Sequence, residues 1–385
     1  MTSARPRRLL TIGHSYVVAT NRRLAHEMAV QGAGEWSVTA AAPQRFRGDL
    51  RPIAVEAMPC EASTLITLPV RFDRFPHVMF YGSGLRELLE RPWDVIHCWE
   101  EPYVLAAAQI ARRARRPARL VLATFQNIDK RYPWPVSAFE RYTMARADGW
   151  IAFGRTVHEA LAGRAGYGST PSSVIPPGVD MERFRPDLRA GDAIRERLGW
   201  AGGDRVVGFL GRFVEQKGIG LLLEALRRAS SPWRALFVGG GVLEPALREF
   251  AASFPGRVHV ETGVPHDEVP AWLSAMSVLC APSQTTSAWR EQFGRMLIEA
   301  MACGVPVIAS DSGEMPTVLG DAGVVLAEED VTAWAGAIDR LLGDAALLRA
   351  YAAAGLERAN ARFAWAVVAR AHLAFFEALT EGRPV

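Results

Sequence analysis

The chain has 385 residues, enough for two domains of ordinary size that each bury a hydrophobic core. Hydrophobic residues make up 49% of the sequence and charged residues 22%, which excludes a disordered or low-complexity chain. The net charge is only +3, but the first 180 residues contain 23 Lys and Arg against 16 Asp and Glu. A cluster of arginines between residues 112 and 119 contributes to this excess and is compatible either with a solvated helix end or with an anionic membrane surface. Without interleaved aromatic residues, it does not indicate nucleic-acid binding.

Short apolar strands alternate with helical patterns, such as Asn21–Gln31 and Tyr103–Arg116, along the whole chain. This alternation predicts two α/β blocks with parallel sheets, whose ligands bind at the carboxyl ends of the strands. The strands predicted in the first half are Leu9–Gly13, Trp36–Ala42, Asp94–Trp99, Arg119–Phe125, Gly149–Phe153 and Ser173–Pro176. Those predicted in the second half are Arg205–Gly211, Arg234–Gly239, Val258–Thr262, Val278–Ala281, Val305–Ser310 and Val324–Leu326.

A dense group of Pro and Gly residues between Val174 and Pro186 predicts the domain boundary. We therefore expect one domain over residues 1–178, a second over residues 179–363, and an amphipathic helix over residues 364–385. The scattered cysteines show neither paired nor metal-ligand spacing, which favours a reducing cytosol. No stretch approaches the roughly 18 uncharged apolar residues of a membrane span. These features predict a cytoplasmic protein and leave peripheral contact with the inner face of the membrane open.

Two carboxylates lie eight residues apart in the second half. Glu291 precedes a Phe-Gly pair, whereas Glu299 belongs to a run with helical spacing, so we predict a helix that starts near Gly294. The N-terminus of that helix would offer the backbone N–H groups of Gln292, Phe293 and Gly294 to hydroxyls or a phosphate. Glu residues at both ends of a surface helix are also common, so the spacing alone is weak evidence.

Two cations occupy a predicted strand-to-helix turn. Arg212 and Lys217 would hold a diphosphate there, because a guanidinium grips two phosphate oxygens and an ammonium adds a point charge. The alternative is a solvent-exposed loop with two ordinary basic residues. Gly240 lies in a second turn of this kind, where three glycines allow either a close approach to a ligand or only a tight turn.

The string around Glu291 and Glu299 resembles retaining nucleotide-sugar glycosyltransferases of family four. It has Phe-Gly after the first Glu and Ala-Met-Ala-Cys-Gly-Val-Pro-Val-Ile-Ala-Ser-Asp after the second. The resemblance implies the GT-B fold, with two Rossmann-like domains facing across a cleft and the C-terminal helix packing back on the first domain. It implies transfer of a hexose from a UDP- or GDP-linked sugar to a hydroxyl of a glycan or lipid-linked acceptor, in cell-surface polysaccharide or glycolipid synthesis.

The resemblance also implies roles for individual residues. Arg212 and Lys217 would bind the diphosphate in place of a metal ion, so no metal or cofactor is expected. The departing phosphate would deprotonate the acceptor on the same face of the sugar. The residues implied for catalysis are Arg212, Lys217, Glu291 and Gln126. Those implied for donor binding are Gln292, Phe293, Gly294, Glu299, Val264, Gly13 and Gly240.

The chain departs from the family pattern at three places. Gln126 stands where many relatives have a His, and an amide can hydrogen-bond a sugar hydroxyl but cannot act as a general base. The first strand leads into Gly13-His14 where the family has a Gly-Gly loop, and nearby Arg22 or Arg23 would contact either a phosphate or solvent. A seven-residue loop, Gln284–Arg290, replaces the usual three residues, and Trp289 in it either shapes substrate choice or lies on a harmless surface loop. The acceptor candidates are His14, Glu100 and Asn127.

Two other functions remain open on the same residues. A sugar-nucleotide epimerase with this fold would need catalytic carboxylates and a His outside the motifs described above. A non-catalytic homologue at the membrane surface is compatible with Gln126 and the basic first half, but not with intact Arg212, Lys217, Glu291 and Glu299. Donor hydrolysis, isomerised donor or absence of donor binding would distinguish the three.

Overall fold

The computed structural model describes residues 5–47 and 52–383. Within these residues, a seven-stranded and a six-stranded sheet, each with parallel neighbours throughout, form the centres of two compact units. The strands of the first unit are β1 (Arg7–Ile12), β2 (Trp36–Pro43), β3 (Arg45–Arg47), β4 (Pro52–Ala54), β5 (Thr64–Leu68), β6 (Val70–Arg71), β7 (Phe80–Tyr81), β8 (Val95–Cys98), β9 (Arg119–Thr124), β10 (Gly149–Ala152) and β11 (Ser172–Val174). Those of the second are β12 (Val206–Arg212), β13 (Arg234–Gly240), β14 (Val258–Thr262), β15 (Val278–Ala281), β16 (Val307–Ser310) and β17 (Val324–Leu326).

The strand order of each sheet is that of a doubly wound α/β domain. The first sheet has the order β11-β10-β9-β8-β1-β2-β5, and the second has the order β14-β13-β12-β15-β16-β17. The order reverses beside β1 and β12, and such switch points are where open α/β sheets bind their ligands. The remaining strands form two small antiparallel pairs, β3 with β4 and β6 with β7.

Helices cover the sheets, and their central strands are buried along their whole length. Every residue of β8, β10, β15 and β16 is buried, as expected for parallel strands packed on both faces. The helices of the first unit are α1 (Ala19–Gln31), α2 (Leu85–Leu89), α3 (Leu105–Arg113), α4 (Val136–Met144), α5 (Arg155–Leu161) and α14 (Trp365–Glu381). Those of the second are α6 (Leu188–Arg197), α7 (Ile219–Arg228), α8 (Glu244–Ser253), α9 (Val269–Ser274), α10 (Arg295–Ala302), α11 (Met315–Leu319), α12 (Val331–Gly343) and α13 (Ala345–Arg358).

The predicted alternation of strands and helices is confirmed. Each predicted strand is present, with bounds within two residues of those expected from the sequence. One strand of the first sheet was missed: β5 pairs in parallel with β2 at the sheet edge. Its sequence, Thr-Leu-Ile-Thr-Leu, has the β-branched and apolar residues of a strand, but no helical pattern precedes it. A small hairpin, β3 with β4, takes the place of that helix.

The last helix belongs to the first unit. This unit comprises the chain up to Gly178 together with the segment from Trp365 onward. The helix α14 buries Leu373 and Phe376 in the same core cluster as residues of α1, β1 and β2. The carboxylate of Glu377 accepts a hydrogen bond from the Trp36 indole at 3.2 Å. Apolar burial and this polar contact together hold the helix on the sheet.

The second unit runs from Val179 to Ala364, and its two ends are joined. The N–H of Val179 donates to the carbonyl of Phe363 at 2.7 Å, and Val179 forms an isolated parallel bridge with Ala364. The Pro- and Gly-rich stretch that predicts the boundary therefore contains one of the two places where the chain passes from one unit to the other.

Candidate functional site

The polar residues singled out in the second unit lie in loops at the carboxyl ends of its strands. Arg212 is the last residue of β12, whereas Lys217 lies in a short turn between β12 and α7. Glu291 lies on the loop that follows β15, and Glu299 lies within α10. Because all six strands are parallel, these loops gather at one edge of the sheet.

Lys217 and Glu291 form an ion pair. The ammonium Nζ of Lys217 contacts the carboxylate Oε2 of Glu291, and their side chains are only 12% and 10% exposed. Gly218, directly after the lysine, has φ of +67°, and a Cβ there would stand 1.7 Å from the carbonyl oxygen of Pro282. Only glycine tolerates this close approach, which brings the Lys217 turn against the loop after β15.

The carboxylate of Glu291 has a further neighbour. The hydroxyl of Ser283 donates to its Oε2 at 3.0 Å. On the backbone side, the N–H of Glu314 donates to the Glu291 carbonyl at 3.2 Å. Gly313 makes this contact possible, since its φ is +57° and a Cβ there would lie 1.9 Å from the same carbonyl oxygen. Glu291 is thus held on both its side-chain and its main-chain oxygens.

The helix after Glu291 starts at Arg295, with Gly294 as its N-cap in the left-handed conformation at φ of +80°. The predicted start near Gly294 is confirmed, but the predicted set of helix donors is not. Gln292 and Phe293 precede the cap, so their N–H groups are not those of the first helical turn. Phe293 is buried in the core of the second unit.

Arg212 presents its side chain to solvent at the end of β12. Within the described part of the chain, no carboxylate lies against its guanidinium, which leaves this cation available to a ligand. In the sheet register, Arg212 pairs with Gly240 of β13. A Cβ at Gly240 would meet nothing within 4 Å, so this glycine borders open space.

Glu299 is buried within α10 but is accompanied by a titratable partner. The ring Nε2 of His266 lies 3.7 Å from its Oε1, and the imidazole itself is exposed. His266 belongs to the loop after β14, two residues beyond Val264. The Val264 side chain packs partly buried against the core.

In the first unit, His14 is held by Glu100. The backbone N–H of His14 donates to Glu100 Oε1 at 2.6 Å, and its ring Nδ1 contacts Oε2. The hydroxyl of Tyr81 also donates to Oε1, at 2.8 Å. Burial alone would lower the pKa of His14, but the charge and hydrogen bond of Glu100, with the charge of Glu101, raise it above its ordinary value. The Glu100 side chain is completely buried, and its carboxylate contacts His14 and Tyr81.

Gly13, the residue before His14, lies under Trp99. A Cβ at Gly13 would stand 2.9 Å from the Cβ of Trp99, so the absence of a side chain allows the two chain segments to touch. The loop after β1 is therefore packed by an indole where the family has glycines.

Gln126 carries an unsatisfied acceptor. It follows β9 and is buried, and its Nε2 donates to the carbonyl of Ile128 at 3.0 Å. Its Oε1 is buried without a hydrogen-bond partner among the described residues. Such an atom is costly to bury and calls for a ligand or water. The neighbouring Asn127 is also buried.

Glu101 is a buried titratable group that contacts the segment leading into Gln126. Its Oε2 accepts from the Thr124 hydroxyl, and its Oε1 accepts from the Phe125 N–H, each at 2.7 Å. Burial raises its pKa to about 7, although these two hydrogen bonds favour the charged form. No local motif signals this, because the shift arises from packing of residues distant in sequence.

Arg22 was expected to contact either a phosphate or solvent, and its burial contradicts both alternatives. Arg22 is fully buried, so its side chain is open neither to solvent nor to a phosphate arriving from solvent. Its Nη1 donates to the carbonyl of Tyr16 at 2.5 Å, and its guanidinium pairs with Glu61 at 3.2 Å. Arg22 therefore ties α1 to the segment before β5. Arg23, one residue on, pairs with Glu27 on the same helix at 3.1 Å.

The arginine cluster after α3 is partly neutralised. Arg115 pairs with Glu90 at 2.9 Å, and both Arg116 and Arg119 pair with Asp148. These pairs favour the solvated helix end over a surface dedicated to an anionic membrane. Two further arginines of the cluster, at positions 112 and 113, are exposed.

Several supporting residues were not singled out from the sequence. Ser283 is one of them: it follows Pro282 directly before the long loop, and its hydroxyl donates to Glu291. Tyr81 and His266 gave no signal, since both act through contacts distant in sequence. Of the cysteines, Cys60 is exposed and the other three are buried, as expected for structural thiols.

Two negative findings concern only the described residues. No helix there has the length and apolar character needed to cross a bilayer. Nor does that part of the chain bring together three or more His, Cys, Asp or Glu side chains in a position to share a metal ion.

Family models match both halves of the chain. Residues 17–183 match the model described as Glycosyltransferase Family 4, and residues 204–344 match the model described as Glycosyl transferases group 1. The D-inositol 3-phosphate glycosyltransferase 1 of Catenulispora acidiphila is 34% identical, and the alignment covers 95% of this chain and 90% of that protein. The chain belongs to glycosyltransferase family 4.

Other members of family 4 align over shorter segments. A D-inositol 3-phosphate glycosyltransferase of Xylanimonas cellulosilytica is 34% identical over 64% of this chain and 60% of its own length. A GDP-mannose-dependent alpha-(1-6)-phosphatidylinositol monomannoside mannosyltransferase of Mycolicibacterium smegmatis is 39% identical over 50% of this chain and 52% of its own length. The chain thus spans between half and two thirds of these two relatives.

Solved structures agree with this family 4 chain in fold. Sucrose-phosphate synthase from Thermosynechococcus elongatus has a TM-score of 0.72 at 22% identity, covering 98% of this chain and 100% of that one. The Anabaena HepE protein, solved in complex with UDP, has a TM-score of 0.69 at 17% identity, covering 97% and 100%. The expected GT-B class, with two Rossmann-like domains, is confirmed.

Proposed function

We propose that this protein transfers a hexose, with retention of configuration, from a nucleotide-diphosphate sugar to a hydroxyl of a glycan or lipid-linked acceptor. The observation that carries the proposal is the ion pair of Lys217 with Glu291, with Arg212 exposed on the same sheet edge. A cation pair beside a buried carboxylate suits a ligand that carries both a diphosphate and sugar hydroxyls.

The chemistry assigns separate roles to these groups. The bond between the anomeric carbon and the diphosphate oxygen breaks while a bond to the acceptor oxygen forms, and the acceptor proton passes to the departing phosphate. Arg212 and Lys217 stabilise the charge on the leaving diphosphate, so the proposed reaction needs no metal ion. Glu291 accepts hydrogen bonds from sugar hydroxyls. In the first unit, the unsatisfied Oε1 of Gln126 is an acceptor for a substrate hydroxyl. The carboxylate of Glu299 is proposed for the ribose hydroxyls.

Similarity to family members supports a nucleotide-sugar donor without fixing its base. One relative is named for its use of GDP-mannose, and one structural neighbour was solved with UDP. We therefore propose a UDP- or GDP-linked donor. The names of the relatives include a phosphatidylinositol mannoside enzyme, which supports a lipid-linked acceptor among the alternatives.

Exposed aromatic residues support peripheral membrane contact by the first unit. Phe72, Phe75 and Trp134 are 60%, 62% and 81% exposed, and arginines and a lysine flank them in the same loops. The two loops converge on Tyr103, which lies 5.7 Å from the His77 ring and 4.4 Å from the Tyr132 ring. Aromatic and basic side chains together favour the interface of an anionic bilayer. We therefore propose that the protein acts at the cytoplasmic face of that membrane. Its proposed role is in polysaccharide or glycolipid synthesis.

The test is incubation of the purified protein with UDP-, GDP- and ADP-sugars, followed by detection of products. Slow release of free sugar with the anomeric configuration of the donor, read by NMR, is the expected result. Inverted product overturns the retaining mechanism. Isomerised donor indicates an epimerase, and absence of binding to every donor indicates a non-catalytic homologue. Flotation with anionic vesicles, lost when Phe72, Phe75 and Trp134 are replaced by Ser, tests the membrane contact separately.

A further inference from the structure

The long loop between β15 and Glu291 brings an indole to the catalytic lysine. The Nζ of Lys217 lies 5.4 Å from the centroid of the Trp289 ring, within the range of a cation–π contact. The same ammonium contacts the carboxylate of Glu291. Lys217 therefore contacts both an anionic carboxylate, that of Glu291, and a neutral indole, that of Trp289.

The loop that carries Trp289 is anchored at its start and closed by a turn within it. Within the loop, the N–H of Thr286 donates to the carbonyl of Trp289 at 2.7 Å, and the Thr286 hydroxyl accepts from the Trp289 N–H at 3.0 Å. The Thr285 hydroxyl donates to Glu328 at 2.5 Å, and the N–H of Gln284 donates to the carbonyl of Gln216 at 2.9 Å. These contacts fix the backbone of Trp289 relative to the turn that carries Lys217.

We infer that Trp289 is a positioning residue that keeps Lys217 at the donor site when the lysine exchanges Glu291 for a diphosphate. The inference rests on the proposed function, because it takes the diphosphate to be the ligand of Lys217. A phosphate competes with Glu291 for the ammonium, and the exchange releases the carboxylate to sugar hydroxyls. The indole carries no charge, so it retains the ammonium in both states without opposing the phosphate.

This role assigns a function to the lengthened loop. A loop of three residues would lack both the turn formed by Thr286 and the aromatic side chain that follows it. The seven residues from Gln284 to Arg290 therefore place an aromatic ring against Lys217. The hydrogen bonds that hold this ring in place are already present in the free protein.

The experiment is a double-mutant cycle on diphosphate binding. Calorimetry with UDP and GDP is performed on the full chain and on Trp289→Leu, Lys217→Met and the double variant. We expect Trp289→Leu to weaken binding of the preferred diphosphate about three- to tenfold, the range of a partly buried cation–π contact. Trp289→Phe keeps an aromatic face and should restore most of the affinity. In the Lys217→Met background, Trp289→Leu should have no further effect, and the corresponding nucleoside should bind equally to all variants.

Each failure has a distinct meaning. Equal losses from Trp289→Leu with and without Lys217 overturn the inference, because the indole then acts on something other than the lysine. Unchanged affinity of Trp289→Leu, or equal losses in the Phe and Leu variants, overturns it as well. Unchanged diphosphate affinity of Lys217→Met, by contrast, refutes the role of Lys217 in the proposed function itself. Circular dichroism and thermal melting of each variant distinguish a folding defect from a loss of binding.

Discussion

Lys217 and Glu291 meet in the folded chain although 74 residues separate them in sequence. Each is largely buried, and burial of either charge alone would be unfavourable. Their pairing therefore offsets the cost of burying each charge, and a ligand that offers an anion to Lys217 and hydroxyls to Glu291 can replace it.

Loss of the cations should abolish turnover. We expect Arg212→Ala combined with Lys217→Ala to lower the rate of donor hydrolysis by at least about 100-fold, since each charged hydrogen bond to the diphosphate contributes roughly 1.5–3 kcal/mol. Arg248→Ala is the matched control, because Arg248 is an exposed residue of α8 that pairs with Glu244 of the same helix. Turnover of the double variant equal to that of the control would refute the proposed site.

Removal of divalent metal should leave the activity unchanged. The positive charge opposite the leaving diphosphate is assigned to Arg212 and Lys217, so neither EDTA nor added Mg²⁺ is expected to alter the initial rate by more than about twofold. The measurement is donor turnover after dialysis against chelator, with total metal determined in the same sample. A loss that Mg²⁺ or Mn²⁺ restores would contradict metal independence.

Gln126 should matter more for activity than for stability. Gln126→Met removes a buried oxygen without a partner together with one hydrogen bond, so we expect the free energy of unfolding to change by less than about 1 kcal/mol. Activity should fall about tenfold through the lost sugar contact. Both are measured on one preparation, by urea titration and by donor turnover.

Gln109 provides the control for this variant. Its amide is satisfied on both atoms by the backbone of Tyr81, at 2.9 and 2.7 Å. Gln109→Met should therefore lower the free energy of unfolding by about 2 kcal/mol, because two backbone groups lose their partners. If Gln126→Met is destabilised to the same extent, its buried oxygen has a structural partner after all.

The first unit should lose stability on mild acidification. Burial lowers the pKa of His372 to about 4, and burial and the nearby His372 lower the pKa of His97 as well. Unfolded histidines bind protons near pH 6.5, so between about pH 6.5 and 4 the unfolded state holds more protons and stability falls as pH falls. His372 alone should contribute about 2 kcal/mol of this loss by pH 5. Urea unfolding at pH 7.5 and 5 measures the change, and His372→Phe should reduce it.

The contribution of His14 to stability changes with pH in the opposite direction. Its pKa is raised by Glu100, so its stabilising contribution is complete below pH 6.5 and is lost as pH rises through the folded-state pKa. A His14→Gln variant separates this contribution from that of His372. Should acidification leave the His372→Phe variant as sensitive as the parent, the buried imidazole is not the source.

The positions of the strands and of the Glu291 helix could be predicted because they depend on local sequence. Runs such as Val278–Ala281 are apolar and lie between turn residues, so their bounds were predicted correctly. The missed strand β5 has the right composition, but a hairpin precedes it where the alternation requires a helix. The local sequence pattern does not predict that a hairpin replaces the helix at this point of the alternation.

Side-chain partners could not be predicted in the same way. Arg22 has the sequence context of an exposed helix residue, yet three carbonyl and carboxylate groups from distant segments bury it. The contact of Lys217 with Trp289 likewise depends on Gly218 and on a loop anchored to Glu328. Tertiary packing determines these side-chain contacts, and no periodic pattern in a single sequence predicts them.

The bridge between Val179 and Ala364 has a practical consequence for handling the chain. A segment cloned from residue 179 to residue 364 would begin and end at the same point of its surface. Such a fragment could be excised, closed by a short linker, or reopened elsewhere as a circular permutant. A C-terminal truncation that removes α14, by contrast, would expose aromatic residues of the first unit, such as Trp36, to solvent.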